Sequence, residues 1–450
     1  MEQVYRRTRV SKSRRSVTQG PTLQQNELSN LELQELRDNV PATEHANSGL
    51  ARFASIEDMV KAHRPCEPVY CLHPEKLTEA ANLFLSYFPG RSLYAVKTNP
   101  DVHVLRGLYA AGIRSFDTAS LGEIKLIHGL FPDAFMAYMH PVKSREAIRC
   151  AYFDYGVRAF SIDSFEEMHK ILEETRVAAD LTIIVRLAMP RGSATYDLSG
   201  KFGASPELAA QLLANADKVA HAVGLSFHVG SQTQDPTSYA EAIRLAGDVV
   251  RQSGVALDVF DVGGGYPAAY SNDDVVRLTE FFDVIRDEVK QLELSVNCQV
   301  WGEPGRAMVA AAETLVVRVE LRKDNVLYIN DGGYGGLFDA CFMNWTYPVN
   351  LIRQTRKGRK ADKALVPYSF FGPTCDSIDF MKGPFMLPTD VCEGDWISIS
   401  QMGAYGRSMQ SRFNGFYSDH LVVIDPLAPP AKAKKPVPAT EKIVRFSDYL

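Results

Sequence analysis

The sequence predicts an α/β fold in which a (β/α)8 TIM-like barrel is joined to a C-terminal all-β domain. Between about residues 90 and 305, short apolar runs alternate with longer amphipathic ones, and eight of the short runs read as strands. Polar residues fall at or just after the ends of those strands. From about residue 310 the long helical patterns stop, and β-rich segments with glycine and proline punctuation take over. Near-continuous apolar strands imply a parallel sheet buried on both faces, and eight βα units imply that it closes.

Taken in order, the chain begins with Arg6, Arg7, Arg9, Lys12, Arg14 and Arg15, followed by polar residues to about Ser48. With no apolar h-region this is not a secretory signal, and residues 1–50 are expected to form a disordered basic and polar extension. Pro68–Leu72 reads as a strand that joins the later β domain. The barrel strands are expected at Leu93–Val96, Ile113–Phe116, Phe135–Tyr138, Arg158–Ile162, Thr182–Leu187, Leu225–Val229, Val259–Val262 and Gln299–Trp301. Between them, segments such as Val102–Ala111, Ser120–Leu130, Ser164–Thr175, Pro206–Ala222 and Asp273–Leu292 carry helical spacing and capping residues. Thr314–Arg322, Val326–Ile329, Trp396–Ile399 and His420–Ile424 then read as strands. The expected domains are a barrel over 73–312 and a β domain from 51–72 and 313–427, with the barrel inserted into it. Residues 428–450 are a Pro/Ala/Lys linker and tail.

Composition narrows the function. Apolar content of 46% and charged content of 23% are those of an ordinary soluble protein. A net charge of −5 argues against a nucleic-acid binder, whose affinity rests on a basic surface. No apolar run reaches the roughly 20 residues that span a bilayer. The seven cysteines are scattered, without a CxxC pair or zinc spacing, so no metal site is expected and a reducing, cytoplasmic compartment is.

The chemistry gathers at the strand ends: Lys97, Asp117, His140, Asp163, Arg186, His228, Gly263-Gly-Gly265 and Glu303. Each has a bland reading. Asp117 and Asp163 precede helical segments and read equally as caps, and a triple glycine alone is a turn. A cation closing a buried strand is costly unless it is paired or used, and lysines in such places are those whose pKa falls enough to form Schiff bases. Glycines between a strand and a helix let backbone N–H groups close around a phosphate. An aldehyde-trapping lysine with a phosphate cradle points to pyridoxal 5'-phosphate, and Glu303 would keep its ring nitrogen protonated.

The motifs Tyr94-Ala-Val-Lys97, Phe116-Asp-Thr-Ala-Ser120, Lys201-Phe-Gly203, His228-Val-Gly-Ser231, Gly263-Gly-Gly265, Glu303-Pro-Gly-Arg306, Gly372-Pro-Thr-Cys-Asp376 and Gly403-Ala-Tyr405 occur in this order over roughly residues 55 to 425. As a set they resemble the fold-type III pyridoxal-phosphate decarboxylases (the alanine racemase-like fold), the ornithine/diaminopimelate/arginine group, and within it most closely the ornithine decarboxylases. The resemblance implies that Lys97 holds the cofactor, His228 stacks on its ring and Glu303 pairs with the ring nitrogen. Ser231, Gly265, Arg306 and Tyr405 would contact the phosphate, with Gly263 and Gly264 shaping the loop. Asp117, Glu123 and Arg186 match positions around the cofactor, with a supporting role as open as a direct one. By the same resemblance Cys375 protonates the carbon that carbon dioxide leaves, and Asp376 pairs with the substrate's distal ammonium. Both reach into a neighbouring subunit's site, which implies a homodimer with shared sites, and Lys201 and Asp379 match positions that pair across the interface.

One departure stands out. An ungapped reading after Asn330-Asp-Gly-Gly-Tyr-Gly335 puts Met343, with Asn344 beside it, where ornithine decarboxylases carry a second distal-amine aspartate. Asp339, four residues earlier, is the candidate substitute, with a surface turn residue as the bland reading. A charged hydrogen bond is worth roughly 1.5–3 kcal/mol, so its loss loosens the hold on a short diamino acid. An Asp rather than a Glu after the cysteine favours a simple terminal amine or guanidinium. The resulting order is L-ornithine, giving putrescine for polyamine biosynthesis, then L-lysine, with arginine and diaminopimelate behind. A non-catalytic regulator-binding relative would lack parts of the cofactor set, and a racemase on this barrel would lack the Cys375-Asp376 motif.

Overall fold

The structure is a computed structural model that describes residues 49–190, 200–270, 277–353 and 364–428. The expected extension (apart from 49 and 50), the tail beyond 428 and the start of the Asp273–Leu292 helix lie outside the described residues. A short β1 (Arg52–Phe53) and β2 (Val69–Leu72) precede the barrel. The barrel sheet is built from β3 (Arg91–Ser92), β4 (Tyr94–Ala95), β5 (Ser115–Thr118), β6 (Phe135–Tyr138), β7 (Ala159–Ile162), β8 (Thr182–Arg186), β9 (Ala222–Ser226), β10 (Val259–Asp261) and β11 (Gln299–Gly302). All pairings are parallel, in the order β3-β11-β10-β9-β8-β7-β6-β5-β4. The two end members are halves of one broken strand. Its outer half pairs with β11 and its inner half with β5, so the sheet closes, and Leu93 between them donates its N–H to the Gly302 carbonyl at 2.8 Å.

Two strands sit off their expected places. Ile113 is not the start of β5: Gly112, at φ 110°, ends the preceding helix, and the Ile113 N–H bonds back to the Leu108 carbonyl. That is a helix C-terminal closure with its apolar contact, which by sequence looks like the head of a strand. β9 starts three residues early, across Gly224, where an added Cβ would sit 2.9 Å from the Val259 side chain. Glycine is therefore needed for the close approach of β9 to β10, although its poor strand propensity hid the strand.

The helices start where small polar residues stand. Ser120, Ser144, Ser164 and Ser205 each accept a hydrogen bond from the backbone N–H three residues on, and Asp101 from the one two on. Each cap is worth typically about 1 kcal/mol. Neither Asp117 nor Asp163 is a cap. Asp117 is buried within β5, and Asp163 accepts from the Gly203 N–H at 3.0 Å. Inside the barrel Leu93, Ala137, Ala159, Ile184, Val259 and Trp301 form a separate apolar cluster that plugs its centre.

The second sheet is organised on the long β12 (Glu313–Lys323), antiparallel to β2, to β13 (Val326–Ile329) and to β17 (Trp396–Ile399). β14 (Val349–Ile352) pairs with β17; β15 (Leu365–Phe371), β16 (Phe380–Pro388) and β18 (Leu421–Ile424) complete it, in the order β1-β18-β2-β12-β13-β15-β16. Strands from before and after the barrel thus share one sheet. Among the described residues no helix is long and apolar enough to cross a membrane.

Candidate active site

A cavity of about 400 Å³ opens at the C-terminal ends of the barrel strands, the size range of small-molecule and cofactor sites. It is lined by Lys97, Asp117, Arg186, His228, Ser231, Gly265, Glu303, Arg306 and Tyr405, residues spread over more than 300 positions of chain. Lys97 lies in a 3-10 turn, Val96–Thr98, directly after β4. Its Nζ donates to Asp117 Oδ2 at 3.1 Å, with its side chain 42% exposed towards the cavity and that of Asp117 1%. Burial works against the lysine's charge, but Asp117, then Tyr405 and Glu303, outweigh it, so its pKa is raised. The lowered pKa expected of a buried strand-end lysine is therefore not found; the carboxylate of Asp117, on the adjacent strand β5 but 20 residues on in sequence, decides the sign.

The glycine run is a cradle. Gly263 and Gly265 have φ 68° and 114°, and an added Cβ would collide with the carbonyls of Phe227 and Gly230. Gly264 carries no such φ, but its Cβ would come within 3.1 Å of His228 Nε2. His228 Nδ1 accepts the Gly230 N–H at 3.0 Å, which requires the neutral ring with its proton on Nε2. Burial, with Arg186 and Lys97 nearby, holds its pKa well below the ordinary value. Beside the cradle stand Ser231, Tyr405 and Arg306, whose guanidinium Nε meets Ser231 Oγ at 3.4 Å. Tyr405 takes φ 56° and donates its N–H to the Thr98 carbonyl at 3.0 Å, linking the β-domain loop to the turn that carries Lys97.

Two buried acids line this space, Asp117 and Glu303, and a third, Asp261, is buried near them. Burial raises Glu303 well above the ordinary carboxyl range, with Asp261 and Asp117 adding to it. Burial and Asp117 push Asp261 up to about 7, against the hydrogen bond from the Gly263 N–H at 2.8 Å. Asp117 Oδ1 and Asp261 Oδ2 have no hydrogen-bond partner among the described residues. The buried carboxyl of Glu303 at the cavity wall suits a partner for a ring nitrogen, while the cradle and Arg306 suit a phosphate. The residues present therefore fit pyridoxal phosphate. Asp261 was not singled out from sequence, although, like Glu303, it stands at the C-terminal edge of a strand.

These acids have a consequence for stability. Asp331 and Glu313 are also buried, and burial pushes them up to about 7 and about 8. A carboxyl with a raised folded pKa stabilises fully below its unfolded value near 4, and that contribution is lost as pH rises through the folded pKa. The unfolding midpoint of the cofactor-free protein is expected to fall between pH 6.5 and 8. A midpoint that is flat or rises across that interval would contradict the burial of these acids.

Of the remaining predicted residues, His140 and Lys201 line the cavity and the others do not. Glu123 does not line the cavity. It receives the Ala119 N–H at 2.7 Å while its own N–H bonds the N-cap Ser120 Oγ, so it ties down the start of the helix after β5. Asp339, the substitute considered for the distal amine, is buried against Arg306 instead, its Oδ2 3.4 Å from both terminal guanidinium nitrogens. It stands in the first turn of the helix Phe338–Phe342. Cys375 is exposed and Asp376 half-buried, and both lie outside the cavity. The Cys375 N–H donates to Asn414 Oδ1 at 3.0 Å, and Tyr334 donates its hydroxyl to Asp376 Oδ2 at 2.6 Å, which lowers the Asp376 pKa. Lys201 lines the cavity with its Nζ 4.8 Å from the Phe202 ring, whereas Asp379 is buried and accepts from Gly333 and Thr374 of its own chain. Tyr270 and Trp345, which flank Arg306, carried no sequence signal beyond being aromatic.

Comparison with known proteins agrees with this site. Residues 75–310 match the family described as pyridoxal-dependent decarboxylase, pyridoxal binding domain. The lysine/ornithine decarboxylase of Selenomonas ruminantium is 33% identical over 83% of this chain and 94% of its own. The ornithine decarboxylase of Caenorhabditis elegans is 31% identical over 76% of this chain and 83% of its own. The crystal structure of the Paramecium bursaria Chlorella virus arginine decarboxylase bound to agmatine superposes with a TM-score of 0.72 at 26% identity, covering 82% of this chain and 99% of that one.

Proposed function

The chain belongs to the pyridoxal-dependent decarboxylases of basic amino acids, and from that premise we propose that it decarboxylates L-ornithine to putrescine, as a homodimer with shared active sites. The observation that carries the reading is the division of the site: the cofactor residues converge in one cavity, while Cys375, exposed, and Asp376, half-buried beside it, lie outside that cavity. A site of this kind is complete only when a second copy brings that pair to the cavity. Pyridoxal phosphate, when bound, supplies the sink for the electrons of the breaking Cα–carboxylate bond. Lys97 supplies the amine that holds its aldehyde, and the Gly263–Gly265 cradle, Ser231, Arg306 and Tyr405 hold its phosphate. Glu303 would keep a proton at the ring nitrogen as its carboxylate partner; the protonated nitrogen would supply the opposite charge that offsets the burial of that carboxylate. His228, neutral, presents a ring face rather than a charge. Cys375 Sγ of the second copy returns a proton to Cα, and Asp376, kept ionised by Tyr334, takes the distal ammonium.

Ornithine is placed first because Asp376 suits a terminal amine and because relatives of that activity align over most of the chain. Lysine is the second reading, supported by Met343 in the place of a second carboxylate and by the lysine/ornithine relative. Carbon dioxide release from L-ornithine, L-lysine, L-arginine and meso-diaminopimelate, measured in parallel on cofactor-loaded protein, tests this. Ornithine is expected to give the highest kcat/KM. A higher value for lysine would replace the assignment, and the Met343–Asn344 stretch would then carry the specificity.

A further inference from the structure

Arg306 is held more closely than a phosphate ligand needs. It is 5% exposed. The Tyr270 hydroxyl is 2.8 Å from NH1, and the rings of Trp345 and Tyr405 each lie 4.8 Å from the guanidinium carbon. These contacts fix its orientation. Asp339 adds something different, an acidic side chain whose Oδ2 lies 3.4 Å from both terminal nitrogens. A cofactor phosphate would bring a second anion to the same guanidinium, and at these distances, away from bulk water, like charges repel strongly.

Asp339 is also tied to the segment that follows it. Its carbonyl accepts the N–H groups of Met343 and Trp345, each at 3.1 Å, closing the short helix Phe338–Phe342 and fixing the backbone on either side of Asn344. Trp345 packs edge-on against Tyr270 with ring centroids 4.6 Å apart. Residues 339–345 therefore grip Arg306 at two points, and between those points lie Met343 and Asn344, where the family resemblance puts a substrate-facing carboxylate.

We propose that Asp339 is a positioning residue that competes with the cofactor's phosphate for Arg306, so that cofactor loading shifts the 339–345 segment. The proposal rests on the assignment of Arg306 to the phosphate. Coupling of this kind is reciprocal: whatever seats the segment loosens the phosphate, and the phosphate loosens the segment.

The test is the binding of inorganic phosphate, pyridoxal phosphate and pyridoxal to cofactor-free, full-length protein by calorimetry, in wild type and Asp339→Asn. Asparagine keeps the shape and an acceptor oxygen but removes the charge; Asp339→Ser serves if that variant does not fold. Phosphate and pyridoxal phosphate are expected to bind the variant about tenfold more tightly, the scale of one partly screened charge. Pyridoxal, which lacks the phosphate, is expected to bind both proteins equally. Phosphate added to wild type is also expected to shift the emission of Trp345, with Trp345→Phe as the control. Unchanged or weaker phosphate binding in the variant, or a gain shared by pyridoxal, would overturn the role of Asp339 alone. A wild-type protein that binds neither phosphate nor pyridoxal phosphate would overturn the cofactor assignment as well.

Discussion

Lys97→Ala is expected to lower turnover by roughly three orders of magnitude or more, the scale on which removal of a covalent catalytic group registers. Lys97 and Lys201 are the lysines among the described lining residues, and their settings differ. Lys97 Nζ is poised on Asp117 next to the buried acids, whereas Lys201 Nζ sits over the Phe202 ring at the mouth. The same variant tests the dimer. Cys375→Ala inactivates a site through the surface it contributes, so random mixing with Lys97→Ala subunits leaves one intact site in each hybrid dimer. Activity of about a quarter of the wild-type value is the ceiling for such a mixture. Recovery towards that ceiling supports shared sites, and a mixture no more active than its parts would place Cys375 in its own subunit's site or outside catalysis. Near-normal activity of Lys97→Ala on its own would remove the cofactor assignment.

Glu303→Gln is expected to lower kcat by roughly 10²–10⁴-fold, the range for losing a positioned acid, while leaving the fold intact. The contrast is the informative part. Glu303 is buried beside Asp261 and Asp117, and its raised pKa means that ionising it costs the folded protein stability at neutral pH. An amide of the same shape carries no such penalty, so the cofactor-free variant should unfold at the same temperature as wild type or above it at pH 8. Carbon dioxide release and a thermal unfolding curve on one preparation settle both halves. A variant that keeps activity within about threefold would show that the ring nitrogen is served by another group, for which Asp261 stands nearest in sequence and strand order.

Particular residues show how far the sequence could be read. Lys97, His228, Glu303 and Arg306 were legible because each stands at or just beyond a strand end in a motif of fixed spacing. The closure of the barrel was legible from eight repeats, but not the break at Leu93, since a two-residue half-strand has no periodicity to detect. Glu123 matches a motif position around the cofactor, and the hydrogen bond from the Ala119 N–H adds a local role at a helix start that the motif does not show. Asp339 was proposed for the substrate because it lay near the missing aspartate in sequence. Residues four apart share a face only within a helix, and Met343 lies just beyond the end of Phe338–Phe342, so the spacing does not carry Asp339 to the place of the missing carboxylate.

The sequence by itself determined the fold class, the strand-end chemistry and the cofactor, because alternation of apolar runs and fixed local spacing are properties of the chain read along its length. Tertiary structure alone decided the charge states. Asp117 beside Lys97, Asp261 beside Glu303 and Asp339 on Arg306 join residues 20, 42 and 33 positions apart. Electrostatic interaction depends on distance through space and on exclusion of water, and neither is written in the order of residues.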